Sequence, residues 1–180
     1  YARSKLAAEK GLAAIQQTTG MDVVSIRPPL IYGPGAPGNF QRLIRATYNR
    51  WPLPLGCTGN RRSWISVWNL VDLIQTLIEH PTTPNKPVLV SDGEDTATTE
   101  FVRRLGAALG RSPRLIPVPP AMARAITAAL GKRALYERLF ANLAIDITAT
   151  RQTLDWQPPL SLDEGLQRTA AAFVENQTRC

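Results

Sequence analysis

The segment Pro28–Gly38 restricts the possible folds of this chain more than any other part of its sequence. Four of its eleven residues are proline and three are glycine, which predicts a rigid, sharply turned loop without regular structure. The β-branched run Asp22–Arg27 comes directly before it and predicts a short strand. Parallel α/β folds bind ligands beyond the carboxyl ends of their strands, so this loop is a candidate binding site.

Helical and strand patterns alternate along the rest of the chain. From Tyr1 to Ile15, side chains recur at spacings of three and four residues, which predicts a helix that ends near Gly20. Further strands are predicted at Ser63–Val67, Val88–Val90 and Leu115–Val118. Further helices are predicted at Asn39–Asn49, Leu70–Ile78 and Thr98–Leu109, on both sides of Gly131 within Pro119–Asn142, and from Ser161 onward. This alternation predicts an α/β fold with a parallel sheet.

The chain has a formal charge of +7 and a pI near 10.0, which is compatible with an anionic partner. No zinc-finger, RNA-binding-strand or basic-zipper motif accompanies the charge, so we expect no nucleic-acid partner. Five arginines gather in one stretch and are equally compatible with a small phosphorylated ligand: Arg42, Arg45, Arg50, Arg61 and Arg62. No run of about 18 apolar residues occurs, so we expect no membrane partner and a cytoplasmic location.

Residues that bind metals or form disulfides are scarce. His80 is the single histidine, and Cys57 and Cys180 are the two cysteines. A metal site would need carboxylates for nearly every ligand, so we predict no metal and no disulfide framework.

Two groups of side chains are assigned to structure rather than to a site. The acidic residues Asp92, Glu94 and Asp95 have no evident partner and are predicted to form a solvated turn. Large aromatic side chains are more often core than pocket, which places the four tryptophans in the interior. They are Trp51, Trp64, Trp68 and Trp156.

Several short motifs follow one another in a fixed order. They are Tyr1-Ala-Arg-Ser-Lys5, Arg27-Pro-Pro-Leu-Ile-Tyr-Gly-Pro-Gly35, Arg62-Ser-Trp-Ile-Ser-Val67, Val90–Glu94, Ile116–Pro119 and Leu154–Gly165. In this order they resemble the extended short-chain dehydrogenase/reductases of the NAD-dependent epimerase/dehydratase family. The resemblance extends over essentially the whole chain.

The resemblance implies the C-terminal portion of a Rossmann-like doubly wound sheet plus a small α/β substrate-binding lobe. Residues 1–35 would end the dinucleotide-binding domain, and residues 36–180 would form mainly the substrate-binding lobe, with interleaved segments of the Rossmann-like domain. We expect the Gly-rich cofactor turn of the family to lie upstream, and no such turn is predicted within the chain. By itself, the chain is therefore expected to be inactive and to bind NAD weakly.

The resemblance also implies roles for individual residues. Tyr1 is the candidate acid/base at a sugar hydroxyl, and Lys5, one helical turn away, favours the tyrosinate and contacts ribose. Arg62 is the candidate for the diphosphate because a guanidinium binds phosphate oxygens in pairs. The cofactor-binding candidates are Tyr1, Lys5, Pro28, Pro29, Leu30 and Ile31, and the substrate-binding candidates are Asn39, Arg62, Tyr32 and Phe40. Plain packing of Tyr32 and helix capping by Asn39 are open alternatives.

The implied function is that of an NAD- or NADP-dependent nucleotide-sugar epimerase, acting at C4 of a UDP-sugar by transient hydride transfer. Surface polysaccharide synthesis is the implied setting, and the full-length protein is expected to be a homodimer. Leu30, Ser66 and Asn69 depart from the residues common in sugar epimerases. These departures leave open a dehydratase or reductase of the same family, or a catalytically silent binding subunit.

Overall fold

Helices and short strands alternate in the computed structural model, which describes residues 2–81, 86–129, 131 and 133–178. The helices in these residues are α1 (Ala2–Thr19), α2 (Asn39–Tyr48), α3 (Val67–Glu79), α4 (Thr98–Ala108), α5 (Pro120–Ala129), α6 (Arg133–Phe140), α7 (Thr148–Leu154) and α8 (Leu162–Thr178). The strands are β1 (Ile26–Arg27), β2 (Leu30–Tyr32), β3 (Arg62–Ser66), β4 (Val88–Leu89) and β5 (Asp95–Thr96).

Two small sheets contain these strands, and two of the three strand pairs are parallel. In one sheet β1 pairs with β4, and Ile26 lies opposite Val88. In the other, β2 pairs in parallel with β3, and β5 joins the second edge of β3 in antiparallel orientation. Parallel neighbours need a crossover connection, which α2 supplies between β2 and β3. This β2–α2–β3 unit confirms the predicted α/β class.

Both faces of β3 are covered, because neighbouring residues of a strand point to opposite sides of a sheet. Trp64 belongs to a buried cluster with Phe101 of α4, and the two rings stack with centroids 3.8 Å apart. Ile65 belongs to a second cluster with Leu73 of α3. Helices on both faces of a sheet are the arrangement expected of a doubly wound fold.

Three predicted strand and loop boundaries differ from the structure. Pro28–Gly38 is not irregular throughout, because β2 forms within it by pairing with β3. The strand predicted at Asp22–Arg27 is limited to β1, since its partner β4 offers only two residues. Leu115–Val118 is not a strand; it has a single bridge, between Leu115 and Leu53, and its proline cannot donate to a ladder.

The helix predictions agree well with the structure. α1 ends at Thr19, and Gly20 follows with a φ of 72°. The predicted capping box begins α8, because the Ser161 N–H donates to Glu164 Oε2 over 2.8 Å and the Glu164 N–H donates to Ser161 Oγ over 3.3 Å. α7 and β5 were not predicted, since elements this short have little periodicity.

α1 is attached to the sheet mainly by polar contacts. The Arg27 Nε donates to Glu9 Oε1 over 3.0 Å, which connects β1 to the helix. Apolar side chains on α1 stay largely exposed, among them Leu12 and Ile15. Within the described ranges, none of the helices is long and apolar enough to cross a membrane.

Candidate active site

A cleft of about 540 Å³ lies beside β2 and the start of α3. The Pro/Gly-rich loop after β2 forms one wall, and Val67 together with the first turn of α2 closes it. Five of the predicted site residues line this cleft: Pro29, Leu30, Ile31, Asn39 and Phe40. The structure thus brings cofactor-binding and substrate-binding candidates into one place.

The cofactor-binding candidates differ in exposure. Pro28 is exposed, Pro29 is buried, and Leu30 and Ile31 are half-buried. Leu30 packs against the cluster that contains Trp64, whereas Ile31 packs on the opposite face of the sheet. The cleft therefore has an apolar wall fixed by both cores.

Gly33 allows the chain to turn directly after β2. Its φ is 151°, and a Cβ at this position would lie 2.6 Å from Cγ1 of Val67. A side chain at residue 33 would therefore displace Val67, which lines the cleft. The close approach of these two residues fixes the shape of the site.

The loop contains a spacing that the sequence analysis missed. Gly33, Gly35 and Gly38 have the order Gly-x-Gly-x-x-Gly between a strand and a helix, which is typical of dinucleotide-binding turns. The pattern is therefore present in the sequence, whereas the expectation that the cofactor turn of the family lies upstream stays a prediction. Pro34 and Pro37 occupy two intervening positions and lack an N–H, so this turn offers a phosphate fewer donors than usual.

Asn39 is the first residue of α2 and not its cap. Gly38 is the N-cap, with a φ of 79° and no side-chain acceptor for the first N–H groups of the helix. The capping alternative for Asn39 is therefore wrong. The amino end of α2 carries unsatisfied N–H groups and the positive end of the helix dipole, which favour an anion beside Asn39 in the cleft.

Tyr32 and Phe40 belong to the core. Tyr32 is fully buried, Phe40 is almost so, and their ring centroids lie 6.0 Å apart. The Tyr32 hydroxyl donates to Asp92 Oδ2 over 2.7 Å. Phe40 still reaches the cleft, whereas Tyr32 has no exposed surface to support the predicted substrate contact.

Arg62 is a buried cation at the start of β3. Only 8% of its surface is exposed, and its Nη1 donates to the Ala141 carbonyl over 2.9 Å. Burial lowers the pKa of the guanidinium from its ordinary value. Among the described residues Arg62 has no ion pair, whereas its neighbour Arg61 pairs with Asp95 over 3.0 Å. A buried guanidinium without a carboxylate can bind an anionic ligand.

The remaining candidates are Lys5 and Tyr1. Lys5 is exposed on α1. Tyr1 lies outside the described residues, so its position remains a prediction. Neither Lys5 nor Arg62 is among the residues that line the 540 Å³ cleft in the described part of the chain.

A buried polar network beneath the cleft escaped the sequence analysis. Asp92 is 7% exposed and accepts hydrogen bonds from the Ser66 N–H at 3.0 Å and the Asn69 amide at 2.6 Å, besides that of Tyr32. Burial raises the pKa of the Asp92 carboxyl above its ordinary value. The prediction of a solvated acidic turn is thus wrong for Asp92. Its place two residues after the apolar segment Val88–Val90 was the available signal.

Comparison with known proteins places this site in a family. The NAD-dependent epimerase/dehydratase family model matches residues 1–90. A UDP-glucose 4-epimerase of Vibrio cholerae is 44% identical over 180 residues, which cover 99% of this chain and 55% of that protein. The chain thus spans about half the length of the curated relatives it matches.

Solved structures show the same fold at low identity. UDP-glucuronic acid 4-epimerase from Bacillus cereus, in complex with NAD, superposes with a TM-score of 0.75 at 18% identity, covering 99% of this chain and 52% of that one. dTDP-glucose 4,6-dehydratase from Bacillus anthracis superposes with a TM-score of 0.72 at 18% identity, covering 99% and 53%. With the family model matching half of its residues, the chain belongs to the NAD-dependent epimerase/dehydratase family.

Proposed function

We propose that this chain is the substrate-binding part of an NAD(P)-dependent nucleotide-sugar epimerase, acting at C4 of a UDP-sugar. The observation that carries the proposal is the 44% identity, along the whole chain, to a protein described as UDP-glucose 4-epimerase. The cleft beside β2 and the buried Arg62 supply the two kinds of surface that such a substrate needs, apolar and cationic.

The cleft fits the nicotinamide end of the cofactor. Pro29, Leu30 and Ile31 give an apolar wall against which a flat ring could pack, and Gly33 lets Val67 lie close to the backbone at one side of the cleft. When bound, NAD accepts a hydride from the sugar carbon and returns it to the other face of the sugar. The choice between NAD and NADP lies with groups beyond this cleft.

Tyr1 and Lys5 are proposed to move the proton that accompanies the hydride. Their four-residue spacing in the sequence corresponds to one turn of helix, and an ammonium at that spacing would favour the tyrosinate that removes the sugar hydroxyl proton. Lys5 is an exposed residue of α1.

Asn39 and Arg62 are proposed to hold the diphosphate. The unsatisfied N–H groups at the start of α2 attract an anion near Asn39. Arg62 is desolvated and has no carboxylate among the described residues, so a phosphate would complete its charge pairing. A UDP-sugar is an extended ligand, and we propose that it contacts both groups.

The proposal is tested with Tyr1→Phe in the full-length protein. We expect interconversion of UDP-sugars to fall by about 10²- to 10⁴-fold, the usual contribution of a general acid/base, with unchanged UDP affinity. Tyr48→Phe is the matched control, because it removes the same hydroxyl at a half-buried position remote from the cleft lining and should leave the rate unchanged. An unchanged rate in Tyr1→Phe contradicts the assignment.

Two alternatives are separated by simple measurements. A dehydratase or reductase of the same family would consume NAD(P)H or release a dehydrated sugar, whereas an epimerase shows no net cofactor turnover. A silent binding subunit would show no reaction with any UDP-sugar. Ser66 and Asn69 give this last alternative no support, because both are fully buried in the Asp92 network rather than in the cleft.

A further inference from the structure

The positive charge of the chain comes from two segments that contain no acidic residue. Residues 23–71 and 101–136 contain thirteen lysines and arginines and no aspartate or glutamate. The remainder contains eight basic and fourteen acidic residues. The net charge of +7 therefore divides into +13 in these two segments and −6 elsewhere.

The two acid-free segments meet in the fold. The Leu53 N–H donates to the Arg114 carbonyl over 2.9 Å, and the Ile116 N–H donates to the Leu53 carbonyl over 2.8 Å. The Arg111 guanidinium lies 5.1 Å from the centre of the Tyr48 ring at the end of α2. The end of α2 and residues 111–116 therefore share one surface.

Exposed arginines along α2 and in the two segments that meet at its end have no ion pair among the described residues. We define them as the cationic face: Arg42 and Arg45, which are neighbours at helical spacing on α2, with Arg50, Arg111 and Arg114. Arg103 and Arg104 of the second segment do not belong to it, because both pair with Glu100. Like charges on one surface repel each other, so an anionic partner would stabilise this arrangement.

Large apolar side chains are exposed beside these arginines. Trp51 follows Arg50 directly and is 58% exposed, and Ile116 is 41% exposed. The prediction that all four tryptophans are interior is therefore wrong for Trp51. Exposed tryptophan next to cationic side chains is typical of proteins that bind the surface of an anionic bilayer.

We propose that the cationic face, with Trp51, docks the protein on an anionic phospholipid surface. The arginines contact lipid headgroups, and the indole lies at the boundary between headgroups and acyl chains. Docking of this kind inserts no helix, and it is an alternative to the expectation from sequence that the protein has no membrane partner. Single-stranded nucleic acid fits the surface less well, because bases need successive stacking platforms, and Trp51 is a single one.

Binding to vesicles tests the proposal with the full-length protein. Vesicles of phosphatidylcholine alone are compared with vesicles of phosphatidylcholine and phosphatidylglycerol, by co-sedimentation and by the shift of tryptophan fluorescence. We expect binding only to the anionic vesicles, weakening as salt is added, because exposed charges are screened. Trp51→Phe should abolish most of the fluorescence shift while keeping the charge.

A charge-matched pair of variants identifies the surface. The triple variant Arg42→Gln, Arg50→Gln and Arg114→Gln should lower the vesicle partition coefficient on the order of a hundredfold, at about fivefold for each arginine. The control removes three charges outside the acid-free segments, at Arg3, Lys10 and Lys86, and should change binding much less.

Three results would overturn the proposal. One is absence of binding to the anionic vesicles at low salt. Another is an equal loss of binding in the two triple variants, which would show that vesicle binding depends on the net charge of the protein and not on the cationic face. The third is tighter binding to a single-stranded oligonucleotide than to vesicles, which would assign the face to a polynucleotide.

Discussion

The Asn69 side chain donates a hydrogen bond to Asp92 Oδ1 over 2.6 Å, and both residues are buried. Asn69 also pairs with the backbone of Leu160, accepting from its N–H at 3.0 Å and donating to its carbonyl at 2.8 Å. These contacts fix α3 and the turn before α8 to the end of the sheet. An amide and a carboxylate are complementary here, whereas two carboxylates would repel each other.

We therefore predict that Asn69→Asp is strongly destabilising. It puts a second carboxyl against Asp92 in a site closed to water, which should lower the free energy of unfolding by about 3 kcal/mol. The exchanged double variant, Asn69→Asp with Asp92→Asn, restores one amide and one carboxylate and should recover part of the loss, because an aspartate at residue 69 still cannot donate to the Leu160 carbonyl. Urea unfolding measures the free energy of unfolding of the single and the double variant. A double variant no more stable than Asn69→Asp would contradict this account of the pair.

The pH dependence of stability should reveal Asp92. Its pKa is raised by burial from an ordinary value of 3.8, so the folded protein holds this proton more tightly than the unfolded chain. The resulting stabilisation is complete below about pH 4 and is lost as the pH rises through the folded pKa. As the pH rises from about 4 to the folded pKa of Asp92, the stability of the parent relative to Asp92→Asn should therefore decrease. Above that pKa the difference should become constant. A difference that grows with pH in the same range would show that the pKa is lowered instead.

Gly165 of α8 should not accept a side chain. A Cβ there would overlap the Tyr32 hydroxyl and lie 3.1 Å from its Cζ. Gly165→Ala is expected to cost about 1–3 kcal/mol through overpacking. Adding Tyr32→Phe removes the hydroxyl, so the double variant should lose less stability than the sum of the two single variants.

Gly11 of α1 is the matched control for that prediction. A Cβ at this helical position meets nothing within 4 Å. Gly11→Ala should therefore raise stability by about 0.5–1 kcal/mol, because alanine loses less backbone entropy in a helix. Thermal unfolding distinguishes the two glycines, and destabilisation of both variants to the same extent would refute the packing argument.

Local patterns explain why the helices were predictable from sequence. The capping box at Ser161 and Glu164 and the apolar spacing of α3 depend on neighbours within one or two turns of helix. The limits of a strand depend instead on a partner strand that is distant in the sequence. β2 forms inside a proline- and glycine-rich segment only because β3 offers it hydrogen bonds, which the sequence of the loop does not reveal.

The candidate site was predictable where a motif is contiguous. Pro29–Ile31, Asn39 and Phe40 line one cleft, whereas the binding roles that the resemblance implies for them stay predictions. Burial of polar groups was not predictable, because the partners of Asp92 come from two segments that are distant from it in the sequence, Tyr32 in one and Ser66 with Asn69 in the other. The unpaired state of Arg62 likewise depends on where other chain segments place their carboxylates, whereas Arg61 beside it finds Asp95.

Substitution of Arg62 should change the stability of the protein and its affinity for UDP in different ways. A buried cation without a carboxylate costs desolvation energy, so Arg62→Leu should leave the stability of the ligand-free protein unchanged or raise it. If the guanidinium binds the diphosphate, the same substitution should weaken UDP binding by about ten- to a hundredfold, the contribution of a charged hydrogen bond. Calorimetric titration with UDP and urea unfolding, both on the full-length protein, measure the two effects.

Arg61→Leu is the control for Arg62. Arg61 is the adjacent residue and bears the same charge, but its side chain is 74% exposed and pairs with Asp95 at the surface. Its loss should cost less than about 1 kcal/mol and leave UDP affinity unchanged. If Arg62→Leu instead lowered stability sharply while UDP affinity stayed at the parent value, the hydrogen bond from Arg62 to the Ala141 carbonyl would be the role of that guanidinium, and the diphosphate would have to be held elsewhere.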